Sequence, residues 1–557
     1  MEGARPFSVV SSTSTSRSNL RLAYNKSLPQ SFSLLTSNSN VPSPLKSSKK
    51  PHKRTERNPI PRTPKLNSEV SPHRAASAVR LLRIEQGGAF ADLLNEKCGG
   101  NGEGEMGYVQ RTLGFRTRAL DDRDIRLVTD IVGGTVRWRR YLDHLIMSVC
   151  IEERMFRDME PLLLQILRVG FYEIIKLNMP SYAVVDENVK LAKAALRPGA
   201  GNLVNAIMRK LLLLKETESL PLPAVEGDDR ARARALAIIH SHPVWMVRRW
   251  IRFLGQEEAI RLMNWNNRDP CFSLRVNSGN GFTIADLVKK LQDLKVPYER
   301  STVLHEFLRI QTGMQTVIQA GLLKEGMCSV QDESAGCFFF PFSALIDQPL
   351  NAGLVVSVVD PQPGETIIDC CAAPGGKTLF MASRLKGQGM VRAIDINKGR
   401  LRILKETARS HKLDSVIAAV HTDIRLYVDK KTTEADKVLL DAPCSGLGVL
   451  SKRADLRWNR HLEDLERLKN LQDELLDAAS LLVKPGGVLV YSTCSIDHEE
   501  NEERIAAFLH RHPEFVLQPV DGYVPPDFVT RDGFYSSSPI KHWMDGSFAA
   551  RLVRSLG

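Results

Sequence analysis

The chain has 557 residues, 43% of them hydrophobic and 25% charged, with a formal net charge of +12 and a pI near 9.2. That is material for two to four domains with separate cores, in a soluble globular chain suited to a polyanionic partner. No apolar run approaches the ~20 residues of a membrane helix, and nine cysteines without a C-x-x-C pair argue against a disulfide scaffold and a zinc site.

Residues 1–55 hold nine Lys/Arg against one acid, Glu2, and residues 1–50 hold 14 serines. Serine-rich, acid-poor, basic N-termini read as organelle transit peptides, and so much serine points to the chloroplast stroma. The basic cluster Lys46-Ser47-Ser48-Lys49-Lys50-Pro51-His52-Lys53-Arg54 keeps three alternatives open: a nuclear or nucleolar signal, mitochondrial import, or a disordered RNA-binding arm. Residues 1–70 are therefore taken as a disordered import segment and linker. Much of the net charge sits there, so the body is only mildly basic, and charge supports an RNA partner without establishing one.

Residues 71–225 read as a helical domain. Ala75–Arg83, Leu162–Ile174, Ala183–Lys193 and Asn202–Lys210 repeat apolar residues at helical spacing. A glycine-rich stretch over 97–107 reads as a loop insertion. A second unit, 236–320, mixes short elements: Pro270–Asn277 alternates like a strand and Ile284–Leu291 reads as a helix. Arg275 and Asn277 on that strand face either RNA or plain water. His240 and His242 lie close together, but nothing nearby completes a metal-ligand set. Cys98, Cys150, Cys271, Cys328 and Cys337 read as small apolar fillers.

From 321 to 557 strands and helices alternate. Thr366-Ile367-Ile368 leads into Asp369-Cys370-Cys371-Ala372-Ala373-Pro374-Gly375-Gly376-Lys377-Thr378, a small-residue turn between strand and helix. Such turns bring backbone close to a nucleotide-type ligand, and Gly375 and Gly376 permit positive φ there. The pattern is neither G-x-G-x-x-G nor a P-loop. Asp395 ends the next strand, 19 residues beyond Gly376, where an acid accepts from ribose hydroxyls. Asp423 follows Val416–Val420, and Asp441 ends Lys437–Leu440. Two cysteines 50 positions apart each follow an apolar run: Asp441-Ala442-Pro443-Cys444-Ser445-Gly446 and Tyr491-Ser492-Thr493-Cys494-Ser495. In an open parallel sheet ligands bind outside the carboxyl ends of the strands, so loop, acids and thiols converge on one edge. Lys452, Arg453 and Arg457 follow Cys444 closely, the kind of cationic neighbour that activates a thiol. Asp545–Leu552 reads as the last strand.

Taken together, these segments resemble the RNA 5-methylcytosine methyltransferases, in particular the bacterial-type small-subunit ribosomal RNA enzymes, whose N-terminal domain is similar to the antitermination factor NusB. The resemblance runs through the chain beyond about residue 70, including Ser329-Val330-Gln331-Asp332-Glu333-Ser334-Ala335-Gly336 and Lys452–Trp458, where Ala454 stands in place of a common proline. It implies a multidomain fold: an N-terminal all-α NusB-like bundle, a small α/β RNA-binding domain, and a C-terminal α/β Rossmann-like methyltransferase. The implied cofactor is S-adenosyl-L-methionine, held by Cys371, Ala372, Ala373, Pro374, Gly375, Gly376, Lys377, Asp395, Asp423 and Asp441. Having no phosphates, that cofactor leaves Lys377 to orient the loop or the cofactor's carboxylate. Cys494 is the implied nucleophile, Cys444 the thiol that assists release, and Asp441 the group at the base edge. Cytosine C5 is a weak nucleophile until a thiolate adds at C6, which is covalent catalysis. The target cytosine must be single-stranded or flipped. The reading implies a monomer that binds ribosomal RNA, with no metal and no membrane attachment. Two other classes compete: an RNA-binding assembly factor with a silent methyltransferase domain, and an amino-methylating enzyme, which favours an Asn/Asp-Pro-Pro-aromatic motif absent after Val438-Leu439-Leu440.

Overall fold

The computed structural model of the chain describes residues 66–87, 105–301, 303–331, 353–428 and 434–556. The expected import segment up to residue 65, most of the stretch 97–107, Cys98, Cys337 and the stretch 332–336 lie outside them.

Among the described residues, seven helices between Pro72–Gly87 and Ser181–Ala195, followed by Pro198–Glu216, build the helical domain. Pro161–Ile175 is its centre, with apolar residues on every face and Ile166, Leu167, Val169, Phe171 and Ile174 fully buried, as a helix surrounded by others must be. Pro161 starts it where a missing N–H costs nothing. Helix Asp122–Arg137 begins in a capping box, Asp121 and Asp124 each accepting the other's backbone N–H.

The small unit carries a four-stranded antiparallel sheet of β1 (Phe272–Val276), β2 (Glu299–Arg300), β3 (Phe307–Ile310) and β4 (Cys328–Val330), in the order β2-β3-β1-β4. Because β4 pairs with β1, this unit runs past the boundary expected at 320. Arg275 meets neither RNA nor water: it is 1% exposed, its guanidinium lies 4.5 Å from the Phe380 ring, and burial lowers its pKa to about 10. Asn277 is equally buried and donates to Gly326 O. Arg275 thus cements the small sheet to the segment carrying Phe380, and Asn277 ties the end of β1 to the residues before β4.

The large sheet holds β5 (Thr366–Cys370), β6 (Met390–Asp395), β7 (Ile417–His421), β8 (Ala435–Asp441), β9 (Val483–Thr493), β10 (Phe515–Gln518), β11 (Tyr535–Ser537) and β12 (Ser547–Arg554). Its order is β10-β12-β9-β8-β5-β6-β7, with β11 on β12. β5 to β9 pair in parallel, and β12 runs antiparallel against β9. Alternate residues serve opposite faces: Ile367, Leu439 and Val490 enter one core, and Ile368, Leu440 and Leu489 the other. A sheet buried on both faces therefore reads in sequence as unbroken apolar runs. The strand order reverses between β5 and β8, which places a ligand crevice at their carboxyl ends.

One side chain joins the three units. Arg457 is fully buried and donates to Arg137 O (3.1 Å), Ser241 O (3.2 Å), Asn266 O (2.5 Å) and Asn267 Oδ1 (2.8 Å). Beside it, Trp458 Nε1 donates to Val136 O at 2.7 Å.

Candidate active site

The loop after β5 is stitched to β6. Cys371 takes φ 63°, Ala372 N–H donates to Ile394 O, and Ala373 N–H donates to Asp395 Oδ2 at 2.9 Å. Asn397 N–H occupies the other Asp395 oxygen at 2.7 Å, while burial raises that carboxyl's pKa. Gly375 sits at φ 113°, and a Cβ there would come within 2.7 Å of Leu404 Cγ, so the loop's own packing already demands glycine.

Lys377 is paired with Asp441. Its Nζ lies 2.5 Å from Asp441 Oδ2, and Ser492 Oγ donates to Asp441 Oδ1 at 2.9 Å. Asp423 is bound by Arg425, whose Nη2 reaches Oδ2 at 2.7 Å and holds the carboxyl below its usual range. Asp369 is buried, accepts from Thr378 Oγ1 at 2.6 Å, and keeps its other oxygen without a hydrogen-bond partner. Burial pushes it up to about 7. Burial, and then Asp395, Asp441, Asp369 and Asp423, drive the Cys371 thiol far upward, so it stays protonated and unreactive. This set of acceptors, one oxygen of it orphaned, fits a cationic ligand with sugar hydroxyls and opposes a phosphate.

The two thiols meet. Cys444 Sγ and Cys494 Sγ lie 3.2 Å apart, both half-buried, on the loops leaving β8 and β9. Register explains it: Asp441 pairs with Ser492, so the loops start side by side. Gly448 N–H donates to Cys494 O at 3.0 Å, and a Cβ on Gly448 would sit 2.2 Å from Gly546 O. Only glycine lets the three segments close.

Glu500 fixes the pair from below and was not singled out by the sequence. Fully buried, it accepts Ser445 N–H (2.8 Å) and Gln472 Nε2 (3.1 Å) on Oε1, and Ser445 Oγ (2.5 Å) on Oε2. Ser445 Oγ in turn lies 3.2 Å from Ser495 Oγ. The carboxylate thus ties the residue after one cysteine to the residue after the other. In sequence it lies within Asp497-His498-Glu499-Glu500-Asn501-Glu502-Glu503, which reads as a solvated acidic turn. Glu500→Ala is expected to lower methyl transfer about 100-fold, as misplacement by an ångström does, with Glu500→Gln recovering most of it. Single-turnover rates would check this, and an unchanged Glu500→Ala rate would remove the clamp.

The cations that follow Cys444 in the sequence are committed elsewhere: Lys452 to Asp545 at 3.0 Å, Arg453 to Asp455, and Arg457 to the domain junction. Arg460, which the sequence did not mark, does reach this loop, its Nη2 lying 3.4 Å from Cys444 O. His242 is a buried core histidine bonded to His240 O, and burial raises the Cys328 thiol to about 12, that of an inert filler.

A mostly parallel sheet with an antiparallel strand near one edge and an acceptor-lined loop at its switch point defines an S-adenosylmethionine-dependent methyltransferase. Residues 356–553 match the family described as 16S rRNA methyltransferase RsmB/F, residues 93–212 the NusB family, and residues 242–316 the RsmF/B-like ferredoxin-like domain. The probable ribosomal RNA small subunit methyltransferase B of Bacillus subtilis (strain 168) is 30% identical over 78% of this chain and 87% of its own. The protein of that name from Synechocystis is 31% identical over 78% of this chain and 92% of its own. The crystal structure of PH0851 superposes with a TM-score of 0.66 at 25% identity, over 87% of this chain and 100% of its own. The chain belongs to the RsmB/F family of ribosomal RNA methyltransferases.

Proposed function

We propose that the chain methylates C5 of a cytosine in the small-subunit ribosomal RNA of an organelle, through a covalent bond from Cys494 to C6 of the base. The observation that carries this reading is the contact of two thiols beside Asp441, at the crevice where the cofactor loop opens. One thiol suffices for attack, so a second in contact with it has its own task. Bound S-adenosylmethionine supplies a methyl group made electrophilic by its sulfonium. The Cys494 thiolate adds to C6 and sends the ring's electron pair to C5, which takes the methyl. Asp441, oriented by Lys377 and Ser492, hydrogen-bonds the base edge where charge develops. Loss of the C5 proton to a base and departure of the thiolate restore the ring, and Cys444 assists that release.

Asp395, Asp423 and the Cys371–Lys377 loop hold the cofactor in this reading. Asp395→Ala is expected to weaken S-adenosylmethionine binding about tenfold, the worth of one charged hydrogen bond, with RNA affinity nearly intact. Calorimetric titration would check it, and equal cofactor affinity in mutant and wild type would take Asp395 out of the site.

Bisulfite sequencing of organellar ribosomal RNA with and without the protein tests the function itself. If no cytosine changed in any RNA, the RNA-binding assembly factor with a silent methyltransferase domain would take its place. The serine-rich, acid-poor composition of residues 1–55 supports plastid import. A reporter fused to residues 1–70 should enter plastids, and a nucleolar signal would overturn that part.

A further inference from the structure

Trp543 is 60% exposed and stands at φ 54°, ψ 36°, a left-handed conformation uncommon for a bulky side chain. Its ring meets that of the half-buried Trp265 edge-on, centroids 6.0 Å apart and planes inclined at 64°. The exposed Arg268 lies over both, its guanidinium 4.8 Å from the Trp543 centroid and 5.4 Å from that of Trp265. Among the described residues Arg268 has no carboxylate partner. A large aromatic surface left in water, capped by an uncommitted cation, costs free energy unless something covers it.

Its position says what covers it. Three residues after Trp543, Gly546 N–H donates to Gly448 O at 2.8 Å, and Gly448 N–H donates to Cys494 O. The helix carrying Trp265, Gln256–Asn266, packs on the short helix Pro539–His542 that ends at Trp543. Ile540 of that short helix, Cys494 and Ile496 all pack against the same buried apolar cluster. The aromatic pair is therefore built on the frame that seats the thiol, joined to it through the Gly546–Gly448–Cys494 backbone hydrogen bonds.

We propose that Trp543, Trp265 and Arg268 form a stacking platform for an unpaired RNA base that flanks the target nucleotide. The inference rests on the reading that this site acts on a flipped or single-stranded base. Extruding one base leaves its neighbour with an uncovered face, and an exposed indole offers a replacement stacking partner whatever the sequence. Arg268 stacks on the same rings and carries the charge that a phosphate backbone seeks.

The test uses the full chain and two probes: labelled oligocytidylate, and naked small-subunit ribosomal RNA made by transcription. Trp543→Ala should weaken both by roughly tenfold to a hundredfold, as loss of one stacked base does. Trp543→Phe should stay within a few-fold of wild type, and Arg268→Ala should fall between. Cofactor affinity and melting temperature should not move, since the ring is on the surface, and KM for RNA should rise while kcat holds. RNA should quench tryptophan emission in wild type and less in Trp543→Ala. Equal RNA affinity in Trp543→Ala and wild type would overturn the platform. So would a loss confined to a third probe, assembled ribosomal particles, which would make the surface a protein contact. Failure of the wild type to bind either RNA would instead remove the reading on which the platform rests.

Discussion

Cys444→Ala is expected to accumulate as a complex with methylated RNA that survives denaturing electrophoresis, whereas Cys494→Ala yields no such band and no methylation. The two thiols are 3.2 Å apart, so either could reach the same base, and only their failures tell them apart. Attack needs a thiolate at C6. Without Cys494 no bond forms, and the rate falls by several orders of magnitude, as it does when a covalent nucleophile is lost. Release needs the C5 proton removed and the thiolate expelled. Without Cys444 attack still proceeds, and the adduct persists. The double variant should lose the band again, because trapping requires the bond that Cys494 makes. A band in Cys494→Ala alone would reverse the roles.

Arg457→Ala should be the most damaging substitution outside the crevice, costing on the order of 3–5 kcal/mol. The guanidinium is held by three backbone carbonyls and one amide oxygen from two neighbouring units, with no carboxylate in ion-pair range among the described residues. Removing it strands those acceptors in a buried junction and leaves a cavity. Arg457→Lys should recover little, since one ammonium cannot serve four acceptors spread across a fork. Thermal unfolding followed by calorimetry would show an earlier or split transition. An unchanged melt would mean that the helical domain is held by other contacts.

The sequence was most informative where chemistry is local. β5, β6 and β8 read as strands because short parallel strands are apolar on both faces, and the acids Asp395 and Asp441 mark where two of them end. Both cysteine motifs lie within a few residues of a strand end, so the convergence of the thiols followed from sheet topology alone. What remained hidden was set by distant partners. Glu500 looks like its acidic neighbours until Ser445, 55 residues earlier, folds against it. Arg275 and Arg457 are charged residues that nothing in their own segments marks as internal. Lys377 sits in a cofactor loop, yet its partner is Asp441, 64 residues away.

The closure of Gly546 on Gly448 has a consequence for how the enzyme is made. The cofactor loop at 371–377 leaves the ribosome well before the last strand, and β9 gains its antiparallel neighbour β12 only when residues 547–554 arrive. Until then the backbone that seats Cys494 lacks its final hydrogen-bonded wall. The loop and Cys494 belong to one sheet, and a domain folds as a unit, so the seat of Cys494 is completed only once β12 has paired with β9. Removal of residues 546–557, which takes away Gly546 and β12, should therefore abolish the covalent bond to RNA proposed for Cys494.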